Sequence, residues 1–402
     1  MKIGIEAQRI FRQKKHGMDM VALELIRNLQ QTDLDNEYFI FVRPDVDNKV
    51  IQETPNFHIV EVTASSYPAW EQLALPRAAE QAGCEILHCT SNTAPANCSV
   101  PLVLTLHDII YMERSYSGML TGSSSSYQKF GNIYRKLIVP GIMKKSKKII
   151  TVSHFEKNRI ADFFGMTQDS RLTAVYNGVS THFKPVTDTD ELKRVKKLYH
   201  LPDHYFFFLG NTDPKKNTRG VLESFAAFRK QHPTDYKLVM LDYDRKELAS
   251  LLNDIGSPEL AEHIILTGYV KNTDLPAIYS QCQAFLYPSL RESFGIPMLE
   301  AMACGVPVIT SNTSSMPEVA GDAAMIVDPY KPAEITEALL QICNDREYAA
   351  TLVNRGIKRA ADFSWKAMAQ DVLKIYYKTV ASIRYNKLMR KLDLENPVPA
   401  IR

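Results

Sequence analysis

Short apolar runs separated by amphipathic stretches recur along the chain. Lys2 to Glu6, Tyr38 to Val42, His58 to Val62, Ile86 to Cys89, Val103 to Leu106, Ile149 to Val152 and Leu172 to Val175 read as buried strands. Helical patterns lie between most of them, at Met18 to Gln30, Trp70 to Ala82, Tyr127 to Lys145 and Phe155 to Phe164. Such alternation predicts a parallel, doubly wound sheet, because parallel neighbours need a crossover and a helix makes it compactly. Asn177 to Arg194 is polar, turn-rich and carries Pro185, so it reads as a linker. The pattern then restarts with Tyr205 to Leu209, Lys237 to Leu241, Ile264 to Leu266, Ala284 to Tyr287, Val306 to Thr310 and Ala324 to Val327.

The predicted fold class is therefore α/β, with two Rossmann-like domains in tandem at 1–183 and 184–370. A helix from about Trp365 to Lys391 carries apolar positions at Met368, Val372, Ile375, Tyr376, Val380 and Ile383. Its residues 371–392 would return to the first domain, leaving 393–402, with Pro397 and Pro399, as a loose tail.

One stretch, LYPSLRESFGIPMLEAMACGVPVIT from Leu286 to Thr310, joins a strand end, a loop with Glu292, a helix from about Phe294 to Ala303, a Gly305 stop and a second strand. Open α/β sheets bind ligands beyond the carboxyl ends of their strands, where a helix N-terminus offers N–H donors to an anion. Glu292 and Glu300 are spaced to touch two ends of an elongated ligand. The bland alternative is a dipole-complementing Glu292 and a solvated Glu300. Against it, Glu300 lies among Pro297, Met298, Leu299, Ala301, Met302 and Ala303, and a buried carboxylate needs partners.

Composition narrows the class. Across 402 residues, 48 Lys and Arg oppose 45 Asp and Glu, a balance of +3 that argues against a general polyanion or nucleic-acid binder. The first residues, MKIGIEAQRI, enter a strand directly without a signal-like apolar region, and no run reaches transmembrane length. Cytoplasmic residence is the expectation. The 6 cysteines form no C-x-x-C pair, which suits buried thiols better than disulfides or a metal site.

Other predicted strand ends carry candidate chemistry. His107 and Asp108 follow the Leu102 to Leu106 strand, and Lys215 and Lys216 follow Gly210 just before a helix near Thr218. Adjacent cations at a helix start suit a diphosphate leaving group, although two solvated lysines would read the same. Gly17 would allow close backbone approach before the first helix. No G-x-G-x-x-G, P-loop or G-x-S-x-G motif occurs, which counts against dinucleotide oxidoreductases, P-loop enzymes and α/β-hydrolases.

These residues resemble glycosyltransferase family 4, the retaining GT-B transferases that use nucleotide-sugar donors. ESFGIPMLE (Glu292 to Glu300) is similar to the family's E-x7-E motif, and AMACGVPVI continues it. Also similar are EQLALP (Glu71 to Pro76), ILHCTSNTAP (Ile86 to Pro95), LTLHD (Leu104 to Asp108), TVSHFEKNRI (Thr151 to Ile160), YNGV (Tyr176 to Val179), GNTDPKKN (Gly210 to Asn217), GYV (Gly268 to Val270) and MPEVAGDAA (Met316 to Ala324). The resemblance implies a GT-B fold, with two doubly wound domains facing across a cleft and the last helix crossing back. Asn211, where relatives often carry Arg, and HGMDM at His16 to Met20, where they often carry Gly-x-Gly-Arg, depart from the pattern.

By position, the resemblance implies that Glu300 accepts from the ribose hydroxyls and that Glu292 meets the transferred sugar. Ser293, Phe294, Gly295 and Ile296 would hold the sugar and diphosphate, and Lys215 and Lys216 would offset the phosphate charge. Tyr269 and Val270 would meet the base, and His107 would sit near the reaction centre. The expected activity is metal-independent, retaining transfer of a mannose- or glucose-type hexose to a saccharide or lipid-linked saccharide, as in cell-surface polysaccharide assembly. The nucleotide-sugar (GDP-, UDP- or ADP-linked) is a co-substrate, and no cofactor is expected. A non-catalytic nucleotide-sugar-binding partner and a GT-B epimerase remain the alternatives. Arg114 to Phe155 contains no acid and eight cations, including Lys129, Arg135, Lys136, Lys144, Lys145, Lys147 and Lys148. The segment 129–148 is either a solvated basic face or a peripheral contact with an anionic membrane.

Overall fold

The computed structural model describes residues 1–113, 126–210, 212–241 and 243–395. Among these, strands β1 (Lys2–Glu6), β2 (Glu37–Val42), β3 (Phe57–Glu61), β4 (Ile86–Cys89), β5 (Leu102–Thr105), β6 (Lys148–Thr151) and β7 (Leu172–Ala174) form a parallel sheet in the order β3-β2-β1-β4-β5-β6-β7. A second parallel sheet has the order β10-β9-β8-β11-β12-β13, from β8 (Tyr205–Phe208), β9 (Lys237–Met240), β10 (Ile264–Leu266), β11 (Ala284–Tyr287), β12 (Val308–Ser311) and β13 (Met325–Val327).

Strands covered by helices on both faces lose the polar alternation of half-exposed ones, hence runs such as Phe206, Phe207 and Phe208, each essentially inaccessible to solvent. Two cores result. Trp70, Leu87, Leu104, Ile142 and Ile149 pack in the first, and Phe206, Phe225, Leu286, Ile309 and Leu339 in the second. In each sheet the winding reverses direction once, between β1 and β4 and between β8 and β11. Loops leaving these strands diverge, which opens room for a ligand at their carboxyl ends.

The chain divides into two compact units, Asn177–Ser364 and a first unit of Met1–Tyr176 together with the helix that starts at Trp365. The whole final helix, Trp365–Glu395, belongs to the first unit, not only residues 371–392. The division falls at Tyr176 and Asn177 instead of 183 because the next residues bond within the second unit. Val179 N–H donates to Phe363 O at 3.1 Å, and Val186 N–H to Ser280 Oγ at 3.0 Å.

Several boundaries differ from expectation. Part of the expected linker is a helix, Thr189–Leu198, capped by the Asp188 carboxylate, which accepts from the N–H groups of Asp190 and Glu191. Its polar composition belongs to a capped, mostly exposed helix. The helix of the E-x7-E stretch starts at Ile296, because Gly295 at φ 100° breaks the helical path before it. The helical pattern around Trp70 to Ala82 is interrupted by a π turn, Trp70–Ala74. The expected loop Gly118 to Gln128 lies outside the described residues as far as 125, as do Arg114, Asn211 and the tail beyond 395.

Candidate active site

In the second unit, β11 delivers Tyr287 at its carboxyl end, and the loop that follows carries Arg291, Glu292 and Ser293 into the helix Ile296–Ala303. Nearby, the turn Pro214–Lys216 follows β8 and ends at Asn217, which takes a left-handed conformation (φ 60°) before the helix Thr218–Gln231. The Asn217 amide donates to Pro329 O at 2.7 Å and Pro288 O at 3.2 Å, tying this turn to the β11 loop.

Lys216 and Glu292 meet directly. Lys216 Nζ donates to Glu292 Oε1 at 2.6 Å, and their side chains are 15% and 12% exposed. The ammonium also lies 3.2 Å from the Tyr287 hydroxyl and 4.9 Å from that ring's centroid. Burial raises the Tyr287 phenol well above its ordinary range, and Glu292 and then Glu300 push it further. Tyr287 thus stands against the Lys216–Glu292 pair.

Glu300 has a weaker partner. The Tyr279 hydroxyl donates to its Oε2 at 3.4 Å, a long bond, and burial pushes the carboxyl up to about 7. The neighbouring Met298, Leu299, Ala301 and Met302 are buried, as the apolar helix predicted.

Second-unit loops hold this arrangement. Glu292 N–H donates to Ser314 Oγ at 3.1 Å, and Ser315 Oγ donates to Glu292 O at 3.0 Å. Gly295 has φ 100°, which favours glycine, and a Cβ there would push against the end of the Met316 side chain, 2.6 Å away. Phe294 is buried and packs edge-to-face on Phe363 at 5.7 Å.

Lys215 parts company with Lys216. Its ammonium lies 3.8 Å from Asp213, and its carbonyl accepts from Leu290 N–H at 2.7 Å. The expected pair of like cations is one lysine on Glu292 and one on Asp213, because consecutive residues of a tight turn point apart. In the loop after β10, Gly268 has φ 68°, Tyr269 is 67% exposed and Val270 is buried.

His107 and Gly17 belong to the first unit. Gly17 opens the helix Gly17–Thr32, with nothing within 4 Å of where a Cβ would be. His107 follows β5 and is buried. Its N–H donates to Asn92 Oδ1 at 2.6 Å, and its Nε2 lies 2.9 Å from Thr90 O. A carbonyl can only accept, so Nε2 carries the proton and Nδ1 the lone pair. Burial lowers the ring's pKa, against the pull of the Thr90 bond, which keeps the imidazole neutral. Asn92 sits at φ 68°, a conformation few non-glycine residues adopt, and Thr90 is anchored by Glu6, which accepts its N–H at 3.1 Å.

Tyr287, Tyr279, Asn217, Asn92 and Glu6 were not predicted from the sequence. Tyr287 ends an apolar strand and reads there as core, and the carboxyl end of a strand was the one signal available for it. Among the described residues, no group of three or more His, Cys, Asp or Glu side chains is placed to hold a metal ion.

Two family models match the chain, Glycosyltransferase Family 4 over residues 16–183 and Glycosyl transferases group 1 over residues 189–359. The chain belongs to glycosyltransferase family 4. The O-antigen chain mannosyltransferase B of Escherichia coli is 32% identical over 234 residues, 58% of this chain and 61% of the relative. The serotype-specific mannosyltransferase WbdA of Escherichia coli is 26% identical over 225 residues, 55% of this chain and 28% of WbdA. The matches thus span less than two thirds of these relatives' own length. In fold, HepE of Anabaena, solved in complex with UDP, superposes with a TM-score of 0.71 at 17% identity, over 94% of this chain and 100% of HepE. The family's GT-B class, two parallel-sheet α/β domains with a helical C-terminus, is the fold expected from the sequence.

Proposed function

We propose that this chain is a retaining hexosyltransferase that moves a mannose- or glucose-type sugar from a nucleotide-sugar to a hydroxyl of a saccharide or lipid-linked saccharide, in cell-surface polysaccharide assembly and without a divalent metal. The observation that carries the reading is the Lys216–Glu292 pair, with Glu292 in the loop after β11 and Glu300 on the helix that follows that loop. A cation and two carboxylates suit a ligand with a hydroxyl-rich sugar at one end, a diphosphate in the middle and a ribose at the other. The mannosyltransferase names of the two relatives and the UDP bound to HepE support the substrate class.

In this reading Lys216 turns from Glu292 toward the β-phosphate, and the freed Glu292 accepts from sugar hydroxyls. Glu300 accepts from the ribose, and the exposed Tyr269 lies along the base. The bond between the anomeric carbon and the phosphate oxygen breaks, and the acceptor oxygen bonds to that carbon from the same face. The acceptor's proton passes to the departing phosphate oxygen, so no enzymatic nucleophile is needed. His107, neutral and held by Thr90 and Asn92, is assigned to the same reaction on the family pattern.

For a lipid-linked acceptor, the basic helix Ser126–Lys145 supplies a docking face. Phe130 and Leu137 on it are 56% and 68% exposed, and Lys144, Lys145 and Lys147 lie at its end. Among the described residues, no helix is long and apolar enough to cross a membrane, so contact through this helix would be peripheral.

Release of free sugar and nucleotide from a panel of UDP-, GDP- and ADP-sugars tests the proposal. Turnover of one donor, with retention at the anomeric carbon and no loss in chelator, is expected. Binding without turnover would favour a non-catalytic partner, and conversion of the donor to its stereoisomer would favour an epimerase.

A further inference from the structure

The first unit holds a buried carboxylate, Glu71, that the reaction above does not use and that bonds to the loop supporting His107. Glu71 is 2% exposed and sits on the π turn Trp70–Ala74. The turn is wide because the Leu75 N–H reaches back five residues to Trp70 O and the following Pro76 has no N–H to donate. Trp70 anchors it from inside, donating its indole N–H to Val62 O at 2.8 Å.

Four donors converge on the Glu71 carboxylate. Oε1 accepts from the Tyr67 hydroxyl at 2.7 Å and from the Thr93 hydroxyl, and Oε2 accepts from the Gln72 amide at 2.9 Å and from the Tyr134 hydroxyl. The Tyr67 and Thr93 hydroxyls also lie 2.7 Å from each other, and the Gln72 amide also reaches Ala94 O and the Tyr134 hydroxyl, so the carboxylate sits in a network of protein groups that holds protein rather than ligand. Thr93 is the neighbour of Asn92, which receives the His107 N–H, and Tyr134 lies on the basic helix. Thr90, whose carbonyl receives the His107 ring, is held at the other end of the same loop by Glu6 through its N–H and hydroxyl.

We infer that Glu71 is a positioning residue for transfer: with Glu6 it pins the Thr90 to Thr93 loop from both ends, and that loop presents His107 in one tautomer. This rests on the assignment of His107 to the reaction. The same carboxylate couples the loop to the basic helix through Tyr134, so a shift of that helix reaches the His107 support through a single buried group.

The test uses the full chain with Glu71→Gln, Tyr134→Phe, Thr93→Val and His107→Gln. Donor turnover, thermal midpoint, calorimetric affinity for UDP and GDP, and the imidazole nitrogen shifts of 15N-histidine protein are measured, with His107→Gln assigning the His107 signals. In Glu71→Gln, turnover should fall on the order of 10-fold or more with nucleotide affinity retained, and the His107 nitrogens should move from the Nε2–H pattern toward a mixture. Tyr134→Phe and Thr93→Val, each losing one donor, should shift the same signals by less, and they carry the test where Glu71→Gln does not fold. Unchanged His107 nitrogens in all three variants would overturn the positioning role. If His107→Gln retains turnover, the assignment of His107 fails, and the nitrogen shifts still decide whether Glu71 positions the ring.

Discussion

Lys216 Nζ and Glu292 Oε1 are 2.6 Å apart, so two groups assigned to one ligand neutralise each other before it arrives. Donor binding on this reading exchanges a protein ion pair for two ligand contacts, and removing either partner strands the other in a mostly buried setting. Lys216→Ala and Glu292→Ala should each cost about 3 kcal/mol of transition-state stabilisation, roughly two orders of magnitude in turnover. Stability should behave differently, with the double variant losing less than the sum of the two singles. Near-normal turnover in both singles would remove the pair from the reaction.

With the role proposed for Glu300, donor binding should be sensitive to pH. Burial pushes its carboxyl up to about 7, so the folded protein keeps a proton that the unfolded chain has already released. Its contribution to stability is therefore full below the unfolded value of 4.5 and is lost as pH rises through about 7. Nucleotide affinity should move the other way, tightening as the carboxylate forms to accept ribose hydroxyls. Titration calorimetry and thermal midpoints across this range should show both slopes in the wild type and neither in Glu300→Gln; parallel slopes in the two proteins would rule Glu300 out.

The helix that starts at Trp365 is held to the first sheet by a buried histidine. His88 Nδ1 lies 2.6 Å from the Tyr376 hydroxyl, and its Nε2 lies 2.7 Å from Thr105 Oγ1. Burial pushes the ring's pKa down to about 3, so on acidification the unfolded chain takes up a proton that the folded one refuses. This stability is present above the unfolded value of 6.5 and is lost progressively as pH falls from there toward 3. Tyr376→Phe leaves a buried ring nitrogen unbonded and should cost about 1–3 kcal/mol in denaturant unfolding. A variant as stable as the wild type would mean that packing alone holds the helix.

Not every cation of the basic segment is available to a membrane. Lys145 donates to Ala96 O at 2.7 Å, Lys148 to Ser170 O at 2.8 Å, and the Arg135 guanidinium lies over the Tyr111 ring. Lys144 and Lys147 are exposed. Lys144→Ala with Lys147→Ala should weaken binding to anionic vesicles by about 2 kcal/mol, at about 1 kcal/mol per cation, and added salt should weaken the wild type similarly. Vesicle sedimentation that shows no binding by the wild type at low salt would leave this face simply solvated.

Much of the architecture was legible because it depends on local pattern. The apolar runs Phe206 to Phe208 and Ala284 to Tyr287 announced strands buried on both faces, and their alternation with helices required parallel sheets. The helix Thr189–Leu198 was missed because its residues are mostly polar, and the cap signal at Asp188 looked the same as a turn.

The candidate site was legible in its residue types but not in its pairings. Spacing brought Glu292 and Glu300 into one stretch, and family resemblance gave them roles. Lys216 reaches Glu292 while Lys215 reaches Asp213, and that sorting follows from the direction of side chains on a tight turn. Glu71 and Glu6, around the loop that holds His107, meet residues far apart in the chain whose polar atoms must find partners once buried. The sequence by itself determined which segments become strands and helices, since period and propensity act over a few residues. Only the tertiary structure decided which carboxylate meets which donor, since that choice is made across the sheet by atoms that water no longer satisfies.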